Sequence, residues 1–459
     1  MRKVLIITTH FAPDIHVGAK RPTKFTKFLP EYGWQPVVLT KEVQYYHGID
    51  ETLNEDLPPD MPIYRVRERH PFRAKGQGGR ASVKDTGAVG LDKLANRGWK
   101  SDVMALLDIV FFYDYSWLLP AFFTGLRLLR QQEISLILST SPNPDAHIVG
   151  VLLKTLTGVK WVCEFRDPWM GVATSYQPRS VVEREVSKFL ERLTLRKSDH
   201  IVTVGEIMKQ YFARLVDDDC NDKIGVIYNG YDKEDLVGLG DVTKQDEKFV
   251  ITYMGTWGHI RDPEFFLRAL GSLLRKREYL RERIRVNFIG EVKFDVDLAT
   301  RIEQVISEEN LGMVVHRVPF IPHKQGLSYL YASDVLLLVI GMPVGRPDVP
   351  DWMVTSKLFE YLCVRRPILA LVPPDGEAAR IIREANAGEI IAPTDIDRIE
   401  EKIYDMYKRF ERGDLTSNPT GIEKYDRRIQ TGLLAGIFDK LAGASKVSRS
   451  DVGPPLKRI

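Results

Sequence analysis

Short apolar runs of strand length alternate with longer amphipathic segments along most of the chain. The runs are KVLIITT, QPVVLT, ISLILST, KWVCEF, HIVTVG and KIGVIYNG, followed by FVITYMG, RVNFIG, HRVPFI, DVLLLVI, RPILALV and GEIIAP. Strands that are apolar throughout and separated by helix-length segments are typical of parallel sheets covered on both faces. The alternation therefore predicts an α/β protein built from doubly wound sheets.

The same alternation occurs twice, which predicts two domains. A single core rarely grows beyond roughly 250–300 residues, so a chain of 459 residues also favours two. We expect an N-terminal domain at 1–240, a C-terminal domain at 241–420, and a helix with a basic tail at 421–459. The helices are expected near 145–157, 179–197, 206–215, 263–277, 297–309, 325–333, 355–363, 376–386, 396–412 and 421–441.

Composition argues against several classes of protein. A net charge of +3 is too small to indicate a nucleic-acid partner. Cys163, Cys220 and Cys363 lie far apart, which predicts neither a disulfide framework nor a zinc site. The opening apolar run is too short for a signal peptide, and no run reaches the roughly 18 residues of a membrane span. The sequence thus predicts a cytoplasmic protein, and without an acidic cluster we expect no metal.

Neither predicted domain opens with the glycine pattern of dinucleotide-binding enzymes. The first strand leads into THFAPDIHVGAKRPTKF, where Gly18 is the one glycine. The second domain opens YMGTWGHIRDPEFF, where Gly255 and Gly258 are not followed by a third. A G-x-G-x-x-G pattern is what an NAD-binding turn requires. We therefore expect no dinucleotide cofactor.

Several stretches resemble a known family. YMGTWGHIRDPEFFLRAL, NFIGEV, VPFIPHKQGLSYLYASDVLLLVI and SKLFEYLCVRRPILALV resemble the C-terminal domain of retaining glycosyltransferases of family 4. HFAPDIHVGAKRPTKFTKFLPEYGWQPVVLT and STSPNPDAHIVGVLLKTLTGVKWVCEFRDPW resemble the N-terminal half of a bacterial branch. The resemblance covers about residues 1–410. It implies the GT-B fold, with two Rossmann-like domains facing each other across a cleft, and metal-independent sugar transfer with retention from a nucleotide-sugar to a glycan or lipid-linked acceptor.

The donor site is expected in the C-terminal domain. Lys357 and Arg261 are the cations that we assign to the diphosphate, because a leaving diphosphate develops negative charge. A helix start after Thr355 and Ser356 would add backbone N–H donors. The resemblance implies that the Glu360 carboxylate accepts hydrogen bonds from both ribose hydroxyls, for which its two oxygens are suited. The resemblance also implies nucleotide contacts at Gly18, Gly255, Phe320, Ile321, Ser356 and Leu358.

One position departs from the family pattern. The family places a second glutamate eight residues before Glu360, and this chain has Trp352 there. Either Asp351 or Asp348 replaces that glutamate through the shape of the loop, or this branch handles the sugar differently. His259 is a further candidate sugar contact.

The acceptor side is expected at the carboxyl edge of the first sheet. The residues RDPW follow the strand KWVCEF directly, so Asp167 is a candidate for positioning the acceptor or sugar and Arg166 for supporting the phosphate. The alternative is a purely structural Arg–Asp pair. Gly18 is placed on the loop after the first strand, where it permits close backbone approach. His10 and His147 are interpreted as packed or capping histidines, and no general base is expected.

Residues 65–115 join a basic segment to an aromatic one. Positions 65–100 hold ten Lys or Arg against three Asp or Glu, and WKSDVMALLDIVFFYDYSWLLPAFFTGLRLL starts within them. This is either a flexible insertion followed by core helices or a surface that docks on anionic lipid at the inner membrane face. A polyisoprenyl-linked acceptor on the inner leaflet would explain the second interpretation.

Two other functions are compatible with the sequence. A sugar-nucleotide epimerase of the same fold would need several clustered acid–base residues, and none is evident. A non-catalytic partner subunit is suggested by the missing glutamate at Trp352. Intact Arg261, Lys357 and Glu360 argue against the second alternative.

Overall fold

The computed structural model describes residues 1–68, 115–169, 181–216, 222–238, 244, 247–258, 260–290, 296–319, 321–341 and 351–443. The chain divides into two compact units. One comprises residues 1–166, 179–202 and 431–459, and the other comprises 167–178 and 203–430. The C-terminal segment belongs to the first unit, where the indole of Trp34 donates a hydrogen bond to Asp439 at 3.1 Å and stacks edge-on against Phe438.

Seven strands form one sheet in the order β3-β2-β1-β4-β5-β6-β7. They are β1 (Arg2–Ile7), β2 (Trp34–Lys41), β3 (Ile63–Val66), β4 (Ile134–Thr140), β5 (Lys160–Phe165), β6 (His200–Thr203) and β7 (Ile224–Val226). Six of them coincide with predicted apolar runs. The strand β3 was not predicted, because IYRV is short and lies where the basic segment begins.

Among the described residues, six helices accompany or follow these strands. They are α1 (Val17–Phe28), α2 (Tyr115–Gln131), α3 (Asp145–Thr157), α4 (Val181–Lys197), α5 (Glu206–Ala213) and, near the C-terminus, α12 (Arg427–Leu441). The helix α1 corrects the sequence prediction, since Gly18 lies in its first turn and not on a loop. A glycine near its start and Pro22 inside it obscure its helical pattern.

The second sheet has the order β10-β9-β8-β11-β12-β13. Its strands are β8 (Phe249–Met254), β9 (Ile284–Ile289), β10 (Val315–Val318), β11 (Val335–Val339), β12 (Ile368–Leu371) and β13 (Gly388–Ile391). Its helices are α6 (Glu264–Lys276), α7 (Val296–Glu308), α8 (His323–Tyr331), α9 (Ser356–Val364), α10 (Glu377–Ala385) and α11 (Ile396–Glu411). Each was predicted to within a few residues.

Helices cover both faces of the second sheet, which explains its uniformly apolar strands. Along β11, Val335 and Leu337 pack into a core with α6, α7 and α11. The alternate residues Leu336 and Leu338 pack into a second core with α8, α9 and α10. Successive side chains of a strand point to opposite faces, so a strand buried on both sides must be apolar at every position.

The helix α2 is amphipathic. Trp117, Ala121 and Leu128 are buried, whereas Leu119 and Phe123 are 49% and 64% exposed. Most of the predicted insertion at 65–115 lies outside the described residues. Within the described part of the chain, no helix combines the length and apolar character needed to span a bilayer.

Candidate functional site

In each sheet the order of strands reverses at one point, between β1 and β4 in the first unit and between β8 and β11 in the second. Loops that follow the carboxyl ends of strands at such a switch point hold the ligand in open α/β sheets. Most of the predicted site residues lie on these loops or on the first turns of the helices that follow them.

Lys357 is the second residue of α9, and its ammonium group is buried against Tyr253 although the residue as a whole is partly exposed. Its Nζ donates a hydrogen bond to the Tyr253 hydroxyl and lies 4.0 Å from the centre of that ring. Burial and the positive charge of Arg261 lower the pKa of Lys357 well below 10.5, although Glu360 acts in the opposite direction. A positive charge is costly here unless an anion binds.

Arg261 lies on the loop after β8, as predicted, and its main chain is fixed there. Its backbone N–H donates to the carbonyl of Gly258 at 2.7 Å, and the residue bridges to Gly341 after β11. Its Nε is buried and has no hydrogen-bond partner among the described residues. Neither Arg261 nor Lys357 forms an ion pair with a carboxylate in that part of the chain. Two neighbouring cations of this kind fit a multiply charged anion.

Gly255 directly follows β8 and lies against the Lys357 side chain. Its φ of 131° is a conformation that side chains other than glycine rarely adopt. A Cβ at this position would lie 2.5 Å from Cε and 2.7 Å from Nζ of Lys357. The glycine thus leaves the space that the lysine occupies.

The start of α9 is where the sequence predicted it, but the predicted side-chain cap is absent. The helix begins at Ser356, and the Thr355 side chain makes no capping hydrogen bond. Its Oγ1 is buried without a partner among the described residues. Leu358 is fully buried, so its contribution to a ligand would come from the main chain. The first-turn N–H groups are therefore not capped by this threonine.

Glu360 lies in the second turn of α9 and pairs with a residue that the sequence reasoning missed. Its Oε1 is 2.9 Å from Nε2 of His323, the first residue of α8. The two side chains are 13% and 20% exposed, so the pair reaches the surface of the unit. No sequence signal joins two residues 37 positions apart on different helices.

The remaining predicted donor residues are only partly described. Ile321 follows β10 and is partly exposed. Asp351 is exposed, and its carbonyl accepts the N–H of Glu377 at 2.7 Å, while the neighbouring Trp352 is 7% exposed. Phe320, His259 and Asp348 lie outside the described residues.

The loop after β1 holds a cluster of two histidines and an aspartate. His10 Nδ1 is 2.6 Å from Oδ2 of the buried Asp14, whose Oδ1 accepts the backbone N–H of His16. The His10 and His16 rings stack at 3.9 Å. The Nδ1 of His16 accepts the N–H of Gly18 and caps α1. Burial, followed by the charge of His10, lowers the pKa of His16 to about 4. His10 was predicted to be a packed or capping histidine, whereas its H-x-x-x-D spacing to Asp14 was overlooked.

Arg166 follows β5, and its side chain contacts the start of α1. Its guanidinium donates to the carbonyls of Gly18 at 2.8 Å and Val17 at 3.3 Å. Its backbone N–H donates to the Ser141 hydroxyl at 2.7 Å. Arg166 and Gly18 are thus brought together within the first unit. Asp167 is partly exposed at the next position.

His147 is a packed core residue, as expected. Its ring contacts the Ser139 hydroxyl at 2.8 Å, and burial lowers its pKa to about 3. Beneath the same strand ends, Arg21 and Glu164 form a fully buried ion pair at 2.8 Å, to which Thr140 donates a further hydrogen bond. Both features support the sheet and do not reach its surface.

Comparison with known sequences gives a partial match. Residues 98–235 match the model of the family described as Glycosyltransferase Family 4. This is a narrower stretch than the predicted 1–410. The O-antigen chain mannosyltransferase RfbU of Salmonella typhimurium is 27% identical over 84 residues, which are 18% of this chain and 22% of that protein. The chain therefore matches less than a quarter of that relative's length.

Similarity of fold extends over nearly the whole chain. Sucrose-phosphate synthase from Thermosynechococcus elongatus has a TM-score of 0.66 and 16% identity, covering 97% of this chain and 100% of that one. Anabaena Alr3699/HepE, solved in complex with UDP and glucose, has a TM-score of 0.62 and 14% identity, covering 96% and 100%. The two Rossmann-like sheets and these matches give the GT-B fold, as predicted.

Proposed function

We propose that this chain is a glycosyltransferase of the family 4 type, which moves a sugar from a nucleotide-sugar to a glycan or lipid-linked acceptor in surface polysaccharide or glycoconjugate synthesis. The match of residues 98–235 supports the reaction class, and the likeness to an O-antigen mannosyltransferase supports the kind of product. The likeness to a structure that holds UDP and glucose supports a nucleotide-sugar donor.

The observation that carries the proposal is the pair of cations in the second unit. Lys357 and Arg261 lie close enough for one charge to lower the pKa of the other, and α9 begins beside them. A diphosphate bound here would reverse that shift, because its negative charge favours the protonated lysine. The same groups would stabilise the charge that develops as the nucleoside diphosphate leaves.

The reaction proceeds with retention, in keeping with the family resemblance. The acceptor oxygen bonds to the anomeric carbon on the face from which the diphosphate departs. The diphosphate leaves with the bonding electrons and takes the acceptor proton, so no protein base and no metal are required. Proton NMR of the product reports the anomeric configuration, and an inverted product would refute retention while leaving transfer intact.

Titration with nucleotide-sugars tests the function. A bound donor raises the melting temperature by mass action, so a thermal-shift panel identifies the donor.

Arg261→Ala and Lys357→Ala should each lose about 100-fold or more in turnover while staying folded. Arg398→Ala, which changes an exposed arginine of the same unit, should behave as wild type. Wild-type turnover in the first two variants would refute the assignment. If the protein epimerises the sugar of the donor when no acceptor is present, it is an epimerase. If it binds no nucleotide-sugar at all, it is a non-catalytic partner subunit.

Contact with the inner membrane face is part of the proposal. A groove of the first unit is lined by Arg65, Arg67 and Arg127 together with the exposed Leu119 and Phe123. Basic residues beside exposed apolar ones suit anionic lipid, at about 1 kcal/mol per basic residue near the surface. The protein should sediment with phosphatidylglycerol vesicles and not with phosphatidylcholine vesicles, and Phe123→Ser should weaken sedimentation. Equal sedimentation with both lipids would refute the contact.

A further inference from the structure

The carboxylate assigned to the donor ribose is not free to rotate. His323 begins α8 and Glu360 lies on α9, and Nε2 of the histidine is 2.9 Å from Oε1 of the glutamate. The imidazole Nδ1 makes no hydrogen bond to the described residues. In the neutral ring the proton must then be on Nε2, since only that tautomer donates to the carboxylate.

This pair contributes little to stability. Both side chains keep part of their surface exposed, 20% for His323 and 13% for Glu360. Ion pairs near the surface contribute little to stability, so a purely structural role would be weak. A carboxylate on a flexible three-torsion side chain, however, loses rotational freedom when it binds a ligand. A hydrogen bond that holds it beforehand removes part of that cost.

We propose that His323 is a positioning residue, which holds the Glu360 carboxylate in the orientation that binds the two ribose hydroxyls of the donor nucleotide. A carboxylate has about four lone-pair sites, and the histidine occupies one of them. The two oxygens of a carboxylate are suited to a vicinal diol. The inference rests on the proposed function, because it assumes that a nucleotide binds at α9.

The test compares ribo- and 2′-deoxyribonucleoside diphosphates by calorimetric titration. UDP, GDP and ADP are first screened against the wild type, and the tightest is paired with its deoxy counterpart. His323→Ala should lose about 3- to 10-fold in affinity for the ribonucleotide and show less discrimination against the deoxy form. His323→Gln, which can donate from a similar position, should restore both. His316→Ala, at an exposed histidine on β10, should match the wild type.

The double variant separates positioning from an independent contact. If His323 acts through Glu360, His323→Ala should add nothing further in a Glu360→Gln background. Wild-type affinity and discrimination in His323→Ala, alongside a loss in Glu360→Gln, would overturn the inference and leave the proposed function standing. A wild type that binds none of the nucleotides would overturn both. Melting temperatures without ligand should agree among the variants to within about 2 °C.

Discussion

Replacing Lys357 by methionine should stabilise the unliganded protein and abolish nucleotide binding. The lysine holds a buried ammonium group beside Arg261 with no carboxylate partner in the described part of the chain. Methionine has a similar length and removes the charge. Tyr253 loses no acceptor, because its hydroxyl still donates to the carbonyl of Thr256 at 3.0 Å. Replacing buried charges by apolar side chains is often neutral or stabilising, so we expect a gain of about 1 kcal/mol.

The dependence of stability on pH tests independently whether the charge on Lys357 destabilises the folded protein. Burial and Arg261 lower the pKa of Lys357 below 10.5 in the folded protein. At pH values between this lowered pKa and 10.5, the unfolded chain therefore binds more protons than the folded one. The free energy of unfolding therefore rises with pH in that window, by at most about 1.4 kcal/mol per pH unit. Burial raises the pKa of Tyr253 above its ordinary 10.0, which lowers stability only at higher pH. Burial also raises the pKa of the Cys363 thiol from its ordinary 9.0, which lowers stability towards pH 9. The lysine is therefore isolated by the difference in pH slope between the wild type and Lys357→Met in a scan from pH 7 to 9.5.

Urea unfolding at several pH values, followed by circular dichroism, measures both effects. The pH slope of the midpoint should be more positive in the wild type and in Lys440→Met, which changes an exposed lysine, than in Lys357→Met. Calorimetric titration should show at least a 100-fold loss in nucleoside diphosphate affinity for Lys357→Met alone. A variant that is less stable than the wild type at pH 7 and keeps the same pH slope would refute the reasoning.

Gly255→Ala should destabilise the protein by roughly 1–3 kcal/mol in urea and weaken nucleotide binding, because the φ of Gly255 is 131° and a Cβ there would displace Lys357. The control is Gly312→Ala, whose Cβ would meet nothing within 4 Å, and equal losses in the two variants would contradict the prediction. EDTA should leave sugar transfer unchanged, whereas activity lost to EDTA and restored by Mg²⁺ would disprove metal independence. Burial lowers the pKa of His147 to about 3, so between pH 6.5 and 4 this histidine is protonated in the unfolded chain and neutral in the folded one. The urea midpoint should therefore fall as pH drops from 6.5 towards 4, and it should fall less in His147→Leu. An identical fall in both proteins would show that His147 is not the cause.

The arrangement of the sheets could be predicted from the sequence because it depends on local periodicity. In β11 each residue of VLLLV is buried, and the uninterrupted apolar run reports a strand covered on both faces. β3 and α1 were not predicted, because their residues lack the regular apolar periodicity on which the other predictions depended. The segment IYRV is short and mixed, and α1 contains a glycine near its start and Pro22 inside it. Tertiary packing stabilises both elements despite their weak local signal.

The individual site residues were predicted, but their partners were not. The sequence places Lys357 and Glu360 on one helix start, and Arg261 on the loop after β8. Only the tertiary structure brings Tyr253 to Lys357 across 104 positions and His323 to Glu360 across 37. These contacts form because parallel strands joined by crossover helices bring the loops after β8, β10 and β11 to one end of the sheet. Spacing along the chain carries no information about which side chains meet there.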